Sequence, residues 1–264
     1  MKEISMYQVD AFAEKLFSGN PAAVCVLEEW LPDELLQAIG NENNLAETAF
    51  IVPRGEVFEI RWFTPTVEVN LCGHATLAAG FVLFNLLGYE KEVINFYSPR
   101  SGLLMVTRTE DVLFLDFPVD AVEELSTGYE VVESCIGVKP VELYRGKADF
   151  LAVVQSEEAV RDLQPDFARI AKLHARGLIV TAKGEEVDFV LRFFAPQLGV
   201  NEDPVTGSVH TLLIPLWSRK LGKEKLVARQ LSKRGGQILC EARGERCLIG
   251  GKARLYLTGK ITIE

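Results

Sequence analysis

The sequence lacks the patterns that mark metal, disulfide and secreted proteins. Its three histidines and five cysteines include no HExxH motif, no CxxC pair and no Asp-rich calcium loop, so we expect no metal site. An odd number of unpaired cysteines argues against a disulfide scaffold and favours reduced thiols in a cytoplasm. The first residues, MKEISMYQVDAF, do not follow the basic-then-apolar plan of a signal peptide. We therefore expect a cytoplasmic protein.

Positive charge and long apolar runs are also scarce. Against 37 acidic residues stand 28 basic ones, which argues against nucleic acid or an anionic membrane as a main partner but leaves room for a small anionic metabolite. The longest apolar run, residues 75–87, is too short to span a bilayer. No phosphate-binding GxxxxGK[ST] or GxGxxG motif is present, so we expect no nucleotide cofactor.

The chain contains an internal repeat. RWFTPTVEVN begins at Arg61 and RFFAPQLGVN at Arg192, and they share an arginine, a phenylalanine, a proline and a Val-Asn pair at equal spacing. We allow three extra residues after Asn201, and three pairs of residues then align: Gly73 with Gly207, Cys72 with Thr206, and His74 with Ser208. Each glycine opens a helix-like run that ends in Leu-Gly, as expected of a helix with a glycine cap. Gene duplication explains this agreement better than chance.

The repeat predicts the fold class. We expect an α+β protein of two pseudo-repeated domains, each a curved, mainly antiparallel sheet or barrel wrapped around a central buried helix. Residues 74–87 carry no charge, so the first of these helices is predicted to be buried on all sides. The domains are predicted as 1–121 and 122–264, with the return of the last strand to the first domain left open.

An amphipathic helix is predicted outside the repeat. LPDELLQAIGNENN, residues 31–44, places four apolar residues on one face: Leu31, Leu35, Leu36 and Ile39.

The two glycine turns are candidate ligand sites. A helix N-terminus offers unpaired N–H groups and a partial positive charge, which together can hold a carboxylate or phosphate. Gly73 and Gly207 allow close approach to the backbone, and two related domains facing each other would aim both turns at one cleft. The alternative is that both glycines only serve helix packing. His74 is predicted to be a neutral hydrogen-bonding imidazole, or else a structural capping residue.

Two carboxylates near these turns could carry chemistry. Glu47 stands among apolar residues in NNLAETAF, which would raise its pKa toward the range of a general acid and base, unless it is a strand-edge residue that reaches solvent. Asp203 precedes the second glycine turn and could orient a ligand or cap a helix. A Cys72–His74 dyad is a weaker candidate, because neighbours two apart at the start of a helix point in different directions. His210 is expected to be packed or exposed, and His174 precedes a loop.

The motifs together resemble those of a known family. Four segments carry the likeness: SGNPAAV (18–24), NLAETAF (44–50), FTPTVEVNLCGHATLAA (63–79) and GVNEDPVTGSVH (199–210). They resemble the phenazine-biosynthesis PhzF-like family, which shares its duplicated fold with diaminopimelate epimerase and proline racemase. The resemblance implies a cofactor-independent isomerase and a homodimer.

The resemblance also implies roles for particular residues. Glu47 matches the family's catalytic glutamate, which in the phenazine enzyme moves a proton between two carbons of trans-2,3-dihydro-3-hydroxyanthranilate without metal or organic cofactor. The groups that hold and polarise the substrate match His74, Asp203 and Ser208 together with the amides of Gly73 and Gly207. We therefore expect proton transfer at carbon on a small carboxylate-bearing metabolite, with the pathway undetermined.

Comparison with the epimerases leaves alternatives open. Those enzymes use two thiols, one before each glycine turn, whereas here Cys72 occupies the first position and Thr206 the second. A hydroxyl without an activating partner is a poor base at neutral pH, so a two-thiol racemase is not expected. Cys72 and Thr206 are then residues of the substrate pocket. An epimerase using Cys72 with Glu47 remains an alternative, as does a non-catalytic metabolite-binding protein on the same fold.

Overall fold

The computed structural model describes all 264 residues as two compact units. The first unit comprises Met1–Asp116 and Gly250–Glu264, and the second comprises Phe117–Ile249. The last strand thus packs with the first unit. These limits describe packing in the folded chain, and the boundary between independent domains at residues 121 and 122 stays a prediction.

Strands dominate both units. The chain forms seventeen: β1 Lys2–Ala11, β2 Asn20–Val26, β3 Glu47–Arg54, β4 Val57–Phe63, β5 Glu68–Val69, β6 Val93–Ser98, β7 Gly102–Thr109, β8 Val112–Pro118, β9 Glu123–Glu124, β10 Glu142–Arg145, β11 Asp149–Val153, β12 Gly177–Lys183, β13 Phe189–Phe194, β14 Lys225–Gln230, β15 Gly236–Arg243, β16 Arg246–Gly251 and β17 Ala253–Ile263. The α-helices are α1 Asp33–Asn43, α2 Gly73–Asn85, α3 Tyr129–Ile136, α4 Glu157–Arg161, α5 Phe167–Ile170 and α6 His210–Leu221. None of the helices is both long and apolar enough to cross a membrane.

The first unit wraps its sheet around α2. Strand β1 pairs antiparallel with both β17 and β2, and β2 pairs parallel with β3 through the crossover helix α1. Strand β3 is antiparallel to β4, β4 is parallel to β6 through α2, and β6, β7 and β8 form an antiparallel meander. Helix α2 contacts β1, β2, β3, β7 and β17. The predicted α+β class, with a mainly antiparallel sheet around a buried helix, is confirmed.

Helix α2 is apolar because almost all of it is enclosed. Every residue from Gly73 to Phe84 is buried except Phe81, which is partly exposed, so the predicted all-round burial is confirmed for this part of the segment. It is wrong for residues 85–87, which are exposed at the end of the helix. The helix ends at Asn85, and the chain turns through Gly88 with φ of 69°. The Tyr89 N–H then donates to the Leu83 carbonyl at 3.0 Å, which gives one of the carbonyl groups at the helix end a partner.

Helix α1 packs through the face that the sequence predicts. Leu36 and Ile39 are buried in a cluster with Phe50 of β3, while Leu31 and Leu35 pack against that cluster from partly exposed positions. Burying the apolar stripe of an amphipathic helix stabilises such a crossover because apolar surface leaves water. This packing fixes the start of β3.

The second unit repeats the pairing order of the first. Strand β11 is parallel to β12, β12 antiparallel to β13, β13 parallel to β14, and β14 antiparallel to β15. The series β2, β3, β4, β6 and β7 alternates in the same way. Helix α6 packs against β14 and β15. The internal sequence repeat is therefore a structural repeat as well.

Matching ion pairs show where the two repeats differ in length. In the first unit the Arg61 guanidinium binds the Glu68 carboxylate with two bonds of 2.7 and 3.0 Å, and in the second Arg192 binds Glu202 with the same two lengths. Glu68 and Glu202 each stand five residues before a glycine turn. The three extra residues therefore come between Arg192 and Glu202, a segment that contains a 3₁₀ helix at Pro196–Leu198, and their predicted place after the Val-Asn pair is wrong.

The second helix of the repeat starts later than predicted. Helix α6 begins at His210, three residues after Gly207, whereas α2 begins at Gly73 itself. The His210 N–H donates to the Gly207 carbonyl at 3.1 Å and the Thr211 N–H to the Ser208 carbonyl at 3.2 Å, so the first turn has the tighter 3₁₀ form.

Candidate functional site

The first glycine turn brings an acid and an imidazole together. Glu47 is the first residue of β3 and lies beside Ala22 of the parallel strand β2. His74 follows the glycine that begins α2, and its Nε2 lies 3.2 Å from Oε2 of Glu47. The His74 side chain is 6% exposed and that of Glu47 19%. Glu47 is therefore a mostly enclosed carboxylate rather than one that extends into solvent.

Burial decides the charge of His74. Desolvation lowers the pKa of its imidazole to about 3, so the ring is neutral at neutral pH. The sequence predicts a neutral ring because of the partial positive charge of the helix N-terminus. In the structure the ring is neutral because it is buried, and burial lowers its pKa. A neutral imidazole can donate one hydrogen bond and accept another.

The other ring nitrogen of His74 faces two further side chains. Nδ2 of Asn20 lies 3.3 Å from Nδ1, and Sγ of Cys72 lies 3.4 Å from the same nitrogen. Cys72 is the N-cap residue of α2, with φ of −140° and ψ of 110°, and this extended backbone lets its side chain reach the ring. The prediction that Cys72 and His74 point in different directions is therefore wrong.

Three groups at this turn have the spacing of metal ligands. The ligand atoms of Glu47, Cys72 and His74 all lie within 4.8 Å of one another. The thiol, however, faces Nδ1 of the ring and the carboxylate faces Nε2. An ion on either ring nitrogen would have to replace the contact that this nitrogen makes in the structure. The three groups are arranged around the imidazole, with the thiol at one ring nitrogen and the carboxylate at the other.

A buried glutamine organises the second glycine turn. Oε1 of Gln230 accepts from the Thr206 N–H at 2.8 Å, and its Nε2 donates to the Asp203 carbonyl at 2.7 Å. The Thr206 hydroxyl donates to the Asp203 carboxylate. The N-cap of α6 is Val209, without a side-chain cap, so Asp203 stabilises the turn rather than capping the helix.

A buried ion pair supports the residue after the second glycine. The Arg176 guanidinium donates through Nε and Nη2 to the carboxylate of Asp149, which is 1% exposed. Its Nη1 donates to the Ser208 hydroxyl oxygen at 3.1 Å, and its Cζ lies 5.4 Å from the centroid of the Phe193 ring. Arginine can only donate, so the Ser208 hydroxyl proton is directed to another acceptor.

The remaining histidines lie apart from these contacts. His210 is completely buried in α6, where its ring nitrogen Nδ1 bonds the Thr206 carbonyl at 2.9 Å and desolvation lowers its pKa to about 4. His174 is exposed. The packed alternative for His210 is the one observed.

The structure places the candidate residues in two groups. In the first unit it gathers Glu47, Cys72, Gly73 and His74, and in the second it gathers Asp203, Thr206, Gly207 and Ser208. Sequence reasoning does not find Asn20, Gln230, Arg176 or Asp149. Of these, only Asn20 lies inside a motif that the sequence singles out, SGNPAAV.

Comparison with known proteins places the chain in a family. A family model described as phenazine biosynthesis-like protein matches residues 9–262. A relative from Pseudomonas aeruginosa, named as an uncharacterized isomerase, is 51% identical over 262 residues, which are 99% of this chain and 100% of the relative. The prediction of an isomerase and that of the family are confirmed.

Solved structures agree in fold. A phenazine biosynthesis protein of the PhzF family from Enterococcus faecalis superimposes with a TM-score of 0.96 at 47% identity, over 99% of this chain and 100% of that one. A hydroxyproline epimerase from Agrobacterium vitis shares the fold alone, with a TM-score of 0.63 at 10% identity over 98% of this chain and 92% of its own. The chain belongs to the phenazine biosynthesis-like protein family.

Proposed function

We propose that this isomerase moves a proton at carbon on a small carboxylate-bearing metabolite, with Glu47 as acid and base. The observation that carries the proposal is the contact of 3.2 Å between the Glu47 carboxylate and a buried, neutral His74. A carboxylate can take a proton from carbon and return it to a different position, which requires neither a metal nor an organic cofactor.

His74 supplies the hydrogen-bond donor in this mechanism. A ring whose pKa is about 3 does not accept a proton at neutral pH, so the proton taken from carbon stays on Glu47. Although its Nε2 lies 3.2 Å from Glu47, the two groups are not aligned for a hydrogen bond. Contacts of this kind often align only once substrate is bound, and a donor can then serve the substrate oxygen on which charge develops.

The residues at the second turn are assigned to substrate binding. We assign Asp203 to orienting the substrate, and Ser208, Thr206 and the amides of Gly73 and Gly207 to binding it. The Ser208 hydroxyl oxygen already accepts a hydrogen bond from Arg176, so its O–H group can donate to a substrate. Carboxylate oxygens accept such bonds, which supports an anionic metabolite as the substrate. The homodimer, the cytoplasmic location and the lack of nucleic-acid or membrane partners are part of the same proposal.

A second base is not favoured at either turn. The Thr206 hydroxyl donates to the Asp203 carboxylate, which is a far weaker base than an alkoxide, so the hydroxyl keeps its proton and does not act as a base. The Cys72 sulfur contacts Nδ1 of His74, and that ring is too weak a base at neutral pH to hold the thiol proton. We therefore assign Cys72 to the wall of the substrate site.

Deuterium exchange tests this function. The protein is incubated in D2O with small carboxylic, amino and cyclohexadiene acids, and each compound is examined by mass spectrometry and chromatography. We expect a mass gain or a new isomer for one class of compound with the wild-type protein. Glu47→Gln should abolish it.

A matched control separates the acid from a general charge effect. Glu56→Gln removes a carboxylate whose side chain is 85% exposed, in the same unit, and should keep full turnover. Full turnover in Glu47→Gln would remove Glu47 from the mechanism. Loss of turnover in Cys72→Ser, with Glu47 also required, would instead favour the epimerase that uses both residues. Compounds that raise the melting temperature without exchange would favour a binding protein.

A further inference from the structure

The environment of His74 determines where its single proton lies. A neutral imidazole carries a proton on one nitrogen and a lone pair on the other, and the partners of the two nitrogens decide between the tautomers. On one side Nε2 lies 3.2 Å from the Glu47 carboxylate. On the other, Nδ1 lies 3.3 Å from the side-chain amide of Asn20. The two ring nitrogens therefore face partners of different chemistry, an amide at Nδ1 and a carboxylate at Nε2.

We propose that Asn20 is a positioning residue that holds His74 in the tautomer with its proton on Nε2, toward Glu47. The amide nitrogen of asparagine can only donate, so it requires a lone pair on Nδ1. An ionised carboxylate can only accept, so a carboxylate 3.2 Å from Nε2 favours a proton on that nitrogen even before the two groups align for a hydrogen bond. Both requirements are met by the same tautomer. The consequence for catalysis depends on the proposed function, but the tautomer itself does not.

The reversed orientation of the Asn20 amide does not fit the site. Turning the amide would bring its carbonyl oxygen against Nδ1 and would require the proton there. The lone pair of Nε2 would then face the Glu47 carboxylate at 3.2 Å, and two acceptors would repel each other in a buried place. The orientation with the amide nitrogen toward Nδ1 avoids this repulsion.

The fold gives Asn20 the rigidity that this role needs. It is the first residue of β2, it is completely buried, and helix α2, which carries His74, packs against that strand. A buried side chain held between a strand and a helix has little freedom to turn away from the ring. Asn20 therefore fixes the ring before any substrate arrives.

The tautomer also assigns a state to Cys72. Its sulfur lies 3.4 Å from Nδ1, whose single lone pair the Asn20 amide and the thiol can only share. A thiol proton turned toward this nitrogen also favours a lone pair there, so Cys72 is a second, weaker donor that supports the tautomer set by Asn20. This gives Cys72 a part at the site that differs from that of a base.

Nitrogen NMR measures the tautomer directly and needs no substrate. The protein has three histidines, so a sample labelled with ¹⁵N-histidine gives few signals, and the signals of His74 are those lost in His74→Gln. We expect a pyridine-type shift for Nδ1 and a pyrrole-type shift for Nε2 at neutral pH. A protonated Nδ1 in the wild-type protein would overturn the proposal.

Asn20→Asp replaces the hydrogen-bond donor beside Nδ1 of His74 with an acceptor. A carboxylate in place of the amide accepts from Nδ1, so we expect Nδ1 to change from pyridine-type to protonated. Asn43→Asp makes the same substitution in the same unit, where Asn43 donates to the Thr48 hydroxyl at 3.1 Å, and should leave the His74 signals unchanged. Equal spectra for the two variants would overturn the role of Asn20.

A second variant guards against failure of Asn20→Asp to fold. Asn20→Leu keeps the approximate shape but removes the donor, so the two His74 shifts should move toward each other as the second tautomer becomes populated. Unchanged shifts in Asn20→Leu would assign the tautomer to other groups. If Asn20→Asp moves the proton while Glu47→Gln keeps turnover, the tautomer stands and the proposed reaction falls.

Discussion

Replacing Arg176 by methionine should destabilise the protein strongly. The substitution removes the guanidinium that bonds both oxygens of Asp149 and leaves a carboxylate that is 1% exposed without its cation. Methionine keeps much of the length and apolar surface of the side chain. The main loss is therefore the charge and its hydrogen bonds rather than packing.

The expected magnitude follows from burial. Removing one partner of a buried ion pair costs about 3–5 kcal/mol because the other charge stays uncompensated. Since the Arg176 side chain is 33% exposed, water shields the pair in part, and we expect the lower end, about 3 kcal/mol. Lys260→Met serves as the control, because Lys260 and its partner Glu3 are 63% and 57% exposed. An exposed pair of this kind contributes about 0–1 kcal/mol.

Urea unfolding followed by circular dichroism measures both variants. Arg176→Met should unfold at a much lower urea concentration with an unchanged slope, whereas Lys260→Met should behave as the wild type. Adding Asp149→Leu to Arg176→Met should restore part of the loss, since it removes the uncompensated charge. A loss for Arg176→Met no larger than that for Lys260→Met would show that the uncompensated Asp149 carboxylate costs little stability.

Two further predictions concern pH and the backbone. Burial lowers the pKa of His74 to about 3 and that of His210 to about 4, so both are neutral in the folded chain while the unfolded chain takes up protons near pH 6.5. Stability should fall as the pH drops from about 6.5 to about 4 for His210 and to about 3 for His74, by about 2 kcal/mol for each histidine at pH 5. Urea unfolding at pH 7 and pH 5 measures this, and an equal loss in His210→Phe would contradict it. Gly19 has φ of 71°, and a Cβ there would lie 2.2 Å from a backbone carbonyl oxygen, whereas Gly55 has φ of 65° and open space around it. Gly55→Ala should cost about 1 kcal/mol and Gly19→Ala at least twice as much, and equal melting temperatures would contradict the steric argument.

The repeat and the turns could be predicted because they rest on local sequence. Matched arginines and glycines at nearly equal spacing indicate duplication, and a charge-free run after Gly73 indicates a buried helix. The late start of α6 could not be predicted, because a 3₁₀ turn at Gly207 differs from an α-helical one only in its hydrogen bonds.

The contacts that shape the site depend on long-range packing. Asn20 and His74 are 54 residues apart, and Arg176 and Ser208 are 32 apart, so only the folded sheet brings them together. The inward turn of Cys72 depends on its extended backbone, which spacing on a helix does not describe. One sequence therefore identifies candidate groups but not the partners that orient them.

The chemical role of Glu47 is tested most directly by carbon–deuterium exchange. The protein and Glu47→Gln are compared in D2O on one substrate, after equal stability of the two proteins has been established by melting temperature. This role predicts deuterium at carbon with the wild-type protein and none with the variant, although both bind the compound. Equal deuterium incorporation by the two proteins would contradict it.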